Sequence, residues 1–201
     1  MGPRLPPEVT SSRLVLRRWT PADAAVLSSA VVESLEHLRP WMWWAAHEPL
    51  DDAARHRALE SWQRDWAAGG DVNYGMFEND RVVGACGLHR RRGPGVLEIG
   101  YWVHADHVHR GIATEAAEAL TGSALGVPGI ERVEIHHDRA NVRSRAVPAR
   151  LGFTFLGESP DGAHAPAEEG IDCTWSITAA EWRASSRHRE AREADDPQPR
   201  S

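Results

Sequence analysis

Apolar and polar residues alternate from Arg13 to Arg18, the period of a half-buried strand. Thr20 and Pro21 then supply an N-cap and a first helical residue, and the helix they open runs to about His37. Asp51–Ala68 is a second helix with Leu59, Trp62 and Trp66 on one face, closed by Gly69 and Gly70. Val72–Phe77 and Arg81–His89 pair as a hairpin around Glu78-Asn79-Asp80. After the turn Arg90–Gly95 comes a strand over 96–103, in which β-branched and aromatic residues alternate with Glu and Gly. Ile112, Ala116, Ala119 and Leu120 recur at helical spacing, so 111–125 is a helix. Arg132–His137 alternates again, with Val133 and Ile135 inward. Asn141–Leu151 reads as a short helix that Pro148 should shorten or kink. Phe153–Leu156 and Ile171–Ile177 are the last strands. Residues 1–12, with Pro3, Pro6 and Pro7, are expected to be a mobile head, and 183–201 a disordered charged tail, leaving one domain at 13–182.

The length of 201 residues suits a single α/β domain. No apolar run reaches the roughly eighteen residues of a membrane span, and no apolar leader is expected at the N-terminus. Cys86 and Cys173 fall inside strands and read as reduced core thiols of a cytoplasmic protein. The net charge is −6, and all 23 basic residues are arginine. The acidic balance argues against nucleic acid as a partner. His104, His107 and His109 cluster before a helix, but no Cys or carboxylate spacing completes a zinc site. His136 and His137 are adjacent on a strand and face opposite ways, so no metal is expected there either.

Chemistry concentrates between Glu98 and Phe153. The strand Glu98-Ile99-Gly100-Tyr101-Trp102-Val103 leads into a turn with Gly at its corner, then into the helix after Gly111. The bare amides at such a helix start, with the positive end of its dipole, suit a phosphate. Further on, Ser144 lies one turn from Asn141 and so shares its helix face. Together, Glu-Ile-Gly-Tyr-Trp, His109-Arg110-Gly111-Ile112-Ala113-Thr114 and the segment from Asn141 through Leu151-Gly152-Phe153 resemble the GNAT superfamily, specifically its RimJ/RimL-type N-acetyltransferases. Arg13–Arg17 and Leu38-Arg39-Pro40-Trp41 extend the resemblance over roughly residues 13–157.

The resemblance implies an α/β (α+β) fold: a mixed, mostly antiparallel sheet of six to seven strands, splayed between the central strand and the next, flanked by about four helices. It implies acetyl-CoA as co-substrate, with its pyrophosphate on the amides of Val108, His109, Arg110, Gly111, Ile112, Ala113 and Thr114. Val108 and His109 depart from the family pattern, and His109 stands where a positive φ disfavours any residue but Gly. Pantetheine is expected beside a bulge at Trp102–His104, with the Val103 amide as donor to the thioester carbonyl. Asn141 would bond the pantetheine arm, and Ser144 would protonate the departing thiolate. Glu98 is the candidate base acting through water; its alternative is a structural polar residue. Arg90, Arg91 and Arg92 form either a solvated turn or a grip for the 3′-phosphate of CoA.

Trp41, Trp43 and Trp44 either pack the core or line an acceptor groove. The carboxylates between Glu158 and Asp172, Glu168 and Glu169 among them, would steer a cationic amine, with the tryptophans facing them across the cleft. The expected activity is transfer of an acetyl group to a primary amine, on a protein N-terminus or on a small molecule such as a polyamine or antibiotic. Alternatives are another acyl-CoA, such as succinyl-CoA, or a CoA-binding module without catalysis. The reading leaves a homodimer open.

Overall fold

The computed structural model describes residues 4–185. Its eight-stranded sheet comprises β1 (Glu8–Thr10), β2 (Val15–Arg18), β3 (Val72–Glu78), β4 (Arg81–His89), β5 (Val96–Val103), β6 (Arg132–Asp138), β7 (Thr154–Pro160) and β8 (Ile171–Thr178). The spatial order is β1-β2-β3-β4-β5-β6-β8-β7. The helices are α1 (Ala24–Leu38), α2 (Asp52–Ala67), α3 (Ile112–Leu125) and α4 (Val142–Leu151), and residues 179–185 are also helical. No helix of the described residues is long and apolar enough to cross a membrane.

The strand count exceeds expectation because residues 8–10 of the head form a strand. Glu8–Thr10 pair antiparallel with Val15–Arg17. Leu5 is buried, and the Trp66 indole and Tyr74 hydroxyl donate to the carbonyls of Leu5 and Pro6 at 2.8 and 2.7 Å. A proline lacks a donor but keeps a good acceptor, so a Pro-rich segment can still be tied down through its carbonyls. The tail expected beyond Trp182 lies, after Ser185, outside the described residues.

Every neighbouring pair of strands is antiparallel except β5 and β6. That parallel pair holds only from Val96–Ile99 to Arg132–Ile135. Beyond it the two strands part, so the sheet is splayed as expected. One face of the sheet, carrying Leu88, Leu97, Ile99, Val133 and Ile135, packs on α3. The other, carrying Phe77, Ala85 and Trp102, packs on α1 and on Leu59 of α2. The bulge expected at Trp102–His104 is absent from the β4–β5 register, which is unbroken from Glu98 to Val103. The irregularity sits one strand over, where Met76 pairs Gly84 but Phe77 pairs Val82. There Gly84 adopts φ 152°, and a Cβ on it would collide with the Trp102 carbonyl oxygen.

Candidate active site

The splay exposes one edge of β5. The His104 amide donates to the Val83 carbonyl at 2.9 Å, which fixes the alternation of the antiparallel ladder. Trp102 and Gly100 therefore turn their peptide groups toward β4, while those of Tyr101 and Val103 point into the splay. A chain of amides laid there would find strand-like partners.

The turn after β5 is fastened to α1. His104 is buried, its Nε2 lies 3.0 Å from Glu33, and the Ala105 amide donates to the Ser34 hydroxyl at 3.2 Å. The chain then takes left-handed geometry twice, at His109 (φ 61°) and at Gly111 (φ 76°), before α3 begins. His109 thus pays the strain its sequence position suggested. A Cβ on Gly111 would find only Arg13 Nη2, at 4.0 Å, so the amides there are open to approach. Arg110 is not a free cation: it donates to Glu78 at 2.8 Å and lies 2.7 Å from His107 Nδ1. The loop Ser11–Arg13 closes round the Glu115 carboxylate in the first turn of α3, with contacts of 2.7 to 3.0 Å.

Tyr101 completes a site the sequence reading missed. Its hydroxyl lies 2.9 Å from Ser144 Oγ and donates to the Ser144 carbonyl at 3.2 Å. The cause is Pro148. In an α-helix residue 148 would donate to the carbonyl of residue 144, and proline has no donor. Pro148 therefore leaves the Ser144 carbonyl to Tyr101 without breaking α4, which runs on to Leu151. Burial pushes the Tyr101 phenol well above its ordinary pKa, so it stays protonated. Asn141 caps α4, its Oδ1 accepting from the Ser144 amide at 3.1 Å, which leaves its NH2 as the group it can offer a ligand.

On the α1–α2 face opens a cleft of about 900 Å³, lined among others by Trp41, Trp43, Trp44, Glu98, Trp102, Asn141 and Ser144. The tryptophans divide between packing and exposure. Trp44 packs partly buried against Trp102, with ring centroids 6.2 Å apart, whereas Trp43 is 62% exposed. The acidic segment does not face them across the cleft. The Ala167 amide donates to the Pro40 carbonyl at 2.9 Å, so the two loops meet in one arc. Nor are its carboxylates loose: Glu168 accepts from the amides of His164 and Ala165, and Glu169 pairs with Arg139 at 2.8 Å. Glu168 lines the cleft; Glu169 does not.

Glu98 also changes character. It is 5% exposed and accepts from Arg91 and, at 2.5 Å, from Arg92. Burial alone would raise its pKa, but the two guanidinium groups outweigh that and hold it below the usual carboxylate range. A carboxylate so held is a poor base. Arg91 and Arg92 are thus paired with Glu98 while their own side chains stay 55% and 38% exposed, so the turn remains solvated. Deeper in, His136 lies between Glu134 (3.0 Å) and Asp172 (2.8 Å). Burial would lower its pKa, but bonds to Asp172 and Glu134 prevail and raise it. His137 faces the other way, accepting from the Trp175 indole at 3.0 Å. No cluster of three or more metal-ligating side chains occurs among the described residues.

Residues 13–154 match the family model described as the acetyltransferase (GNAT) domain. The chain belongs to this family and is an N-acetyltransferase. It is 27% identical over 177 residues to the Bacillus subtilis (strain 168) protein named "Putative ribosomal N-acetyltransferase YdaF", covering 86% of this chain and 94% of that one. Among solved structures, Mycobacterium smegmatis RimJ in complex with CoA-disulfide has a TM-score of 0.80 at 24% identity, over 96% of this chain and 98% of that chain. RimL, a ribosomal L7/L12 alpha-N-protein acetyltransferase bound to coenzyme A, has a TM-score of 0.77 at 19% identity, over 87% and 97%. The fold of the chain is thus that of RimJ and RimL.

Proposed function

We propose that this protein moves the acetyl group of acetyl-CoA to the amino terminus of a protein by direct attack of the amine on the thioester. The observation that carries the reading is the Tyr101–Ser144 hydroxyl pair, 2.9 Å apart beside the splayed edge of β5. In this reading pantetheine lies along the peptide groups of Tyr101 and Val103, with its pyrophosphate on the amides of 108–114. The Val103 amide meets the oxyanion that forms on attack. Ser144 gives its proton to the thiolate as the C–S bond breaks and takes one back from solvent, while Tyr101, kept protonated by burial, holds the serine hydroxyl in place. Asn141 offers its amide to the pantetheine arm, and Trp41, Trp43 and Trp44 form the apolar wall along which the acceptor chain lies.

A protein acceptor is favoured by the name of the Bacillus subtilis relative, which is that of a ribosomal N-acetyltransferase. Acetyl-CoA is a cytoplasmic metabolite, and the proposal places the reaction there. The test is mass spectrometry of products from a panel of N-terminal peptides, polyamines and aminoacyl nucleotides, each run with acetyl-CoA and with succinyl-CoA. The reading expects acetylated peptide α-amines. Product only from small amines would replace the acceptor, and product only from succinyl-CoA would replace the donor.

A further inference from the structure

We propose that His89, oriented by Asp71, takes the proton from the acceptor ammonium, its ring seated over Gly87 and Gly100; this rests on the amine-acetylation reading above. The register of the β3–β4 hairpin sets Val72 opposite Leu88, so Asp71 arrives beside His89. The ring Nδ1 lies 2.9 Å from Asp71 Oδ2, and the other carboxylate oxygen accepts from the Arg90 amide at 2.8 Å. Burial alone would raise the Asp71 pKa, but the His89 bond and the Arg90 amide outweigh it and keep the group ionised. A fixed carboxylate on Nδ1 assigns the proton to that nitrogen and leaves a lone pair on Nε2.

The His89 ring lies in the cleft, with Nε2 over the two glycines. Gly87 and Gly100 are cross-strand partners, and both line the cleft. A Cβ on Gly87 would lie 2.8 Å from Nε2, and one on Gly100 3.4 Å from it. Two glycines in register thus leave the space in which the ring lies across β4 and β5, two residues short of Trp102. Among the described residues the bond to Asp71 is the ring's one hydrogen bond. Glu98, directly opposite His89 in the register, is held by Arg91 and Arg92. Among the other carboxylates in the cleft, Asp172 serves His136, Glu48 serves Arg55, Asp138 and Glu168 serve backbone amides, and Asp161 lies 3.4 Å from His164. His47, Asp65, Asp161 and His164 line the cleft too, but all four are exposed, whereas the His89 ring is largely buried and fixed by Asp71 with Nε2 left as an acceptor.

The step balances. One ammonium proton passes to Nε2, giving an imidazolium that faces the Asp71 carboxylate, and later leaves to solvent. The neutral amine forms the C–N bond to the thioester carbon. As the C–S bond breaks, the nitrogen of the tetrahedral adduct gives its second proton to solvent, while the thiolate takes one from Ser144, which solvent then reloads. The charged groups sharing this wall are Asp71, Glu98 with Arg91 and Arg92, His136 with Glu134 and Asp172, and Asp65 near the end of α2.

The test is the pH profile of kcat/KM for a peptide acceptor. His89→Gln is expected to lower kcat/KM by about 10²–10³ and to remove the limb that rises with pH, with acetyl-CoA affinity unchanged. The deficit should narrow for an acceptor amine of low pKa, which is already neutral, and imidazole should restore rate to His89→Ala. A purely structural role would move neither. Asp71→Asn covers the case in which the first variants misfold: it should carry the limb to lower pH. A limb and rate equal to wild type in His89→Gln, or a limb unmoved in Asp71→Asn, would overturn the inference alone. A wild-type enzyme that acetylates no amine of the panel would overturn the functional reading with it.

Discussion

Ser144 meets Tyr101 because a proline four residues on withholds a donor, so one residue type at 148 shapes the chemistry at 144. Ser144→Ala is expected to lower turnover by about 10²–10⁴ with little change in the Michaelis constant, measured by thiol release. Tyr101→Phe should do the same to a smaller extent, since water can replace a hydroxyl that acts through another. At the same scale, Glu48 and Arg55 form a buried ion pair 2.8 Å apart, each side chain 5% exposed. Glu48 also accepts from the Leu50 amide at 2.8 Å. Glu48→Gln strands the Arg55 charge away from water, and breaking such a pair costs about 3–5 kcal/mol. Chemical denaturation should show that loss.

At the scale of the element, the turn into α3 holds His109 and Gly111 in left-handed geometry for opposite reasons. Gly111 adopts it freely and keeps the amides bare. A bulky residue there would be both strained and in the path of a phosphate. Gly111→Leu should weaken acetyl-CoA binding at least about tenfold, or 1.4 kcal/mol, by calorimetry. His109, a non-Gly residue at φ 61°, costs on the order of 1 kcal/mol. His109→Gly should therefore raise the melting temperature, offset in part by the entropy glycine loses on folding.

For the whole molecule, Asp138 ties the end of β6 to the loop before β8. It accepts from the amides of Ala140, Glu169, Gly170 and Ile171 at 2.8 to 3.1 Å. Burial by itself would raise its pKa; the four amides prevail and lower it. A carboxyl lowered by folding stabilises above its unfolded pKa, and that contribution is lost as pH falls through its folded value. Asp138→Ala should cost about 1–2 kcal/mol near neutrality and less at acid pH, where the wild-type group is protonated too; melting curves across pH would show the gap closing. Glu169, paired with Arg139, should not steer the acceptor. Glu169→Gln should leave the salt dependence of acceptor KM unchanged.

The sequence by itself determined the elements and their order. Periodicity placed the central strand at 96–103 and the helix after Gly111, because burial of one face is written into every second or every third and fourth residue. The placement of Ser144 one helical turn after Asn141 was legible for the same local reason, whereas the cap that Asn141 forms was not. Tertiary structure decided who neutralises whom. The segment from Glu158 to Asp172 contains no arginine, yet Arg139 reaches Glu169 and Glu158 from another loop. Arg91 and Arg92 fold onto Glu98, and Asp71 onto His89, across strand pairings that charge patterns along the chain do not encode. The head became a strand because Trp66 and Tyr74, far along the chain, donate to its carbonyls. Hydrophobic period is a property of neighbours in sequence. The charge left on a buried carboxylate is a property of neighbours in space, and only the closed sheet supplies them.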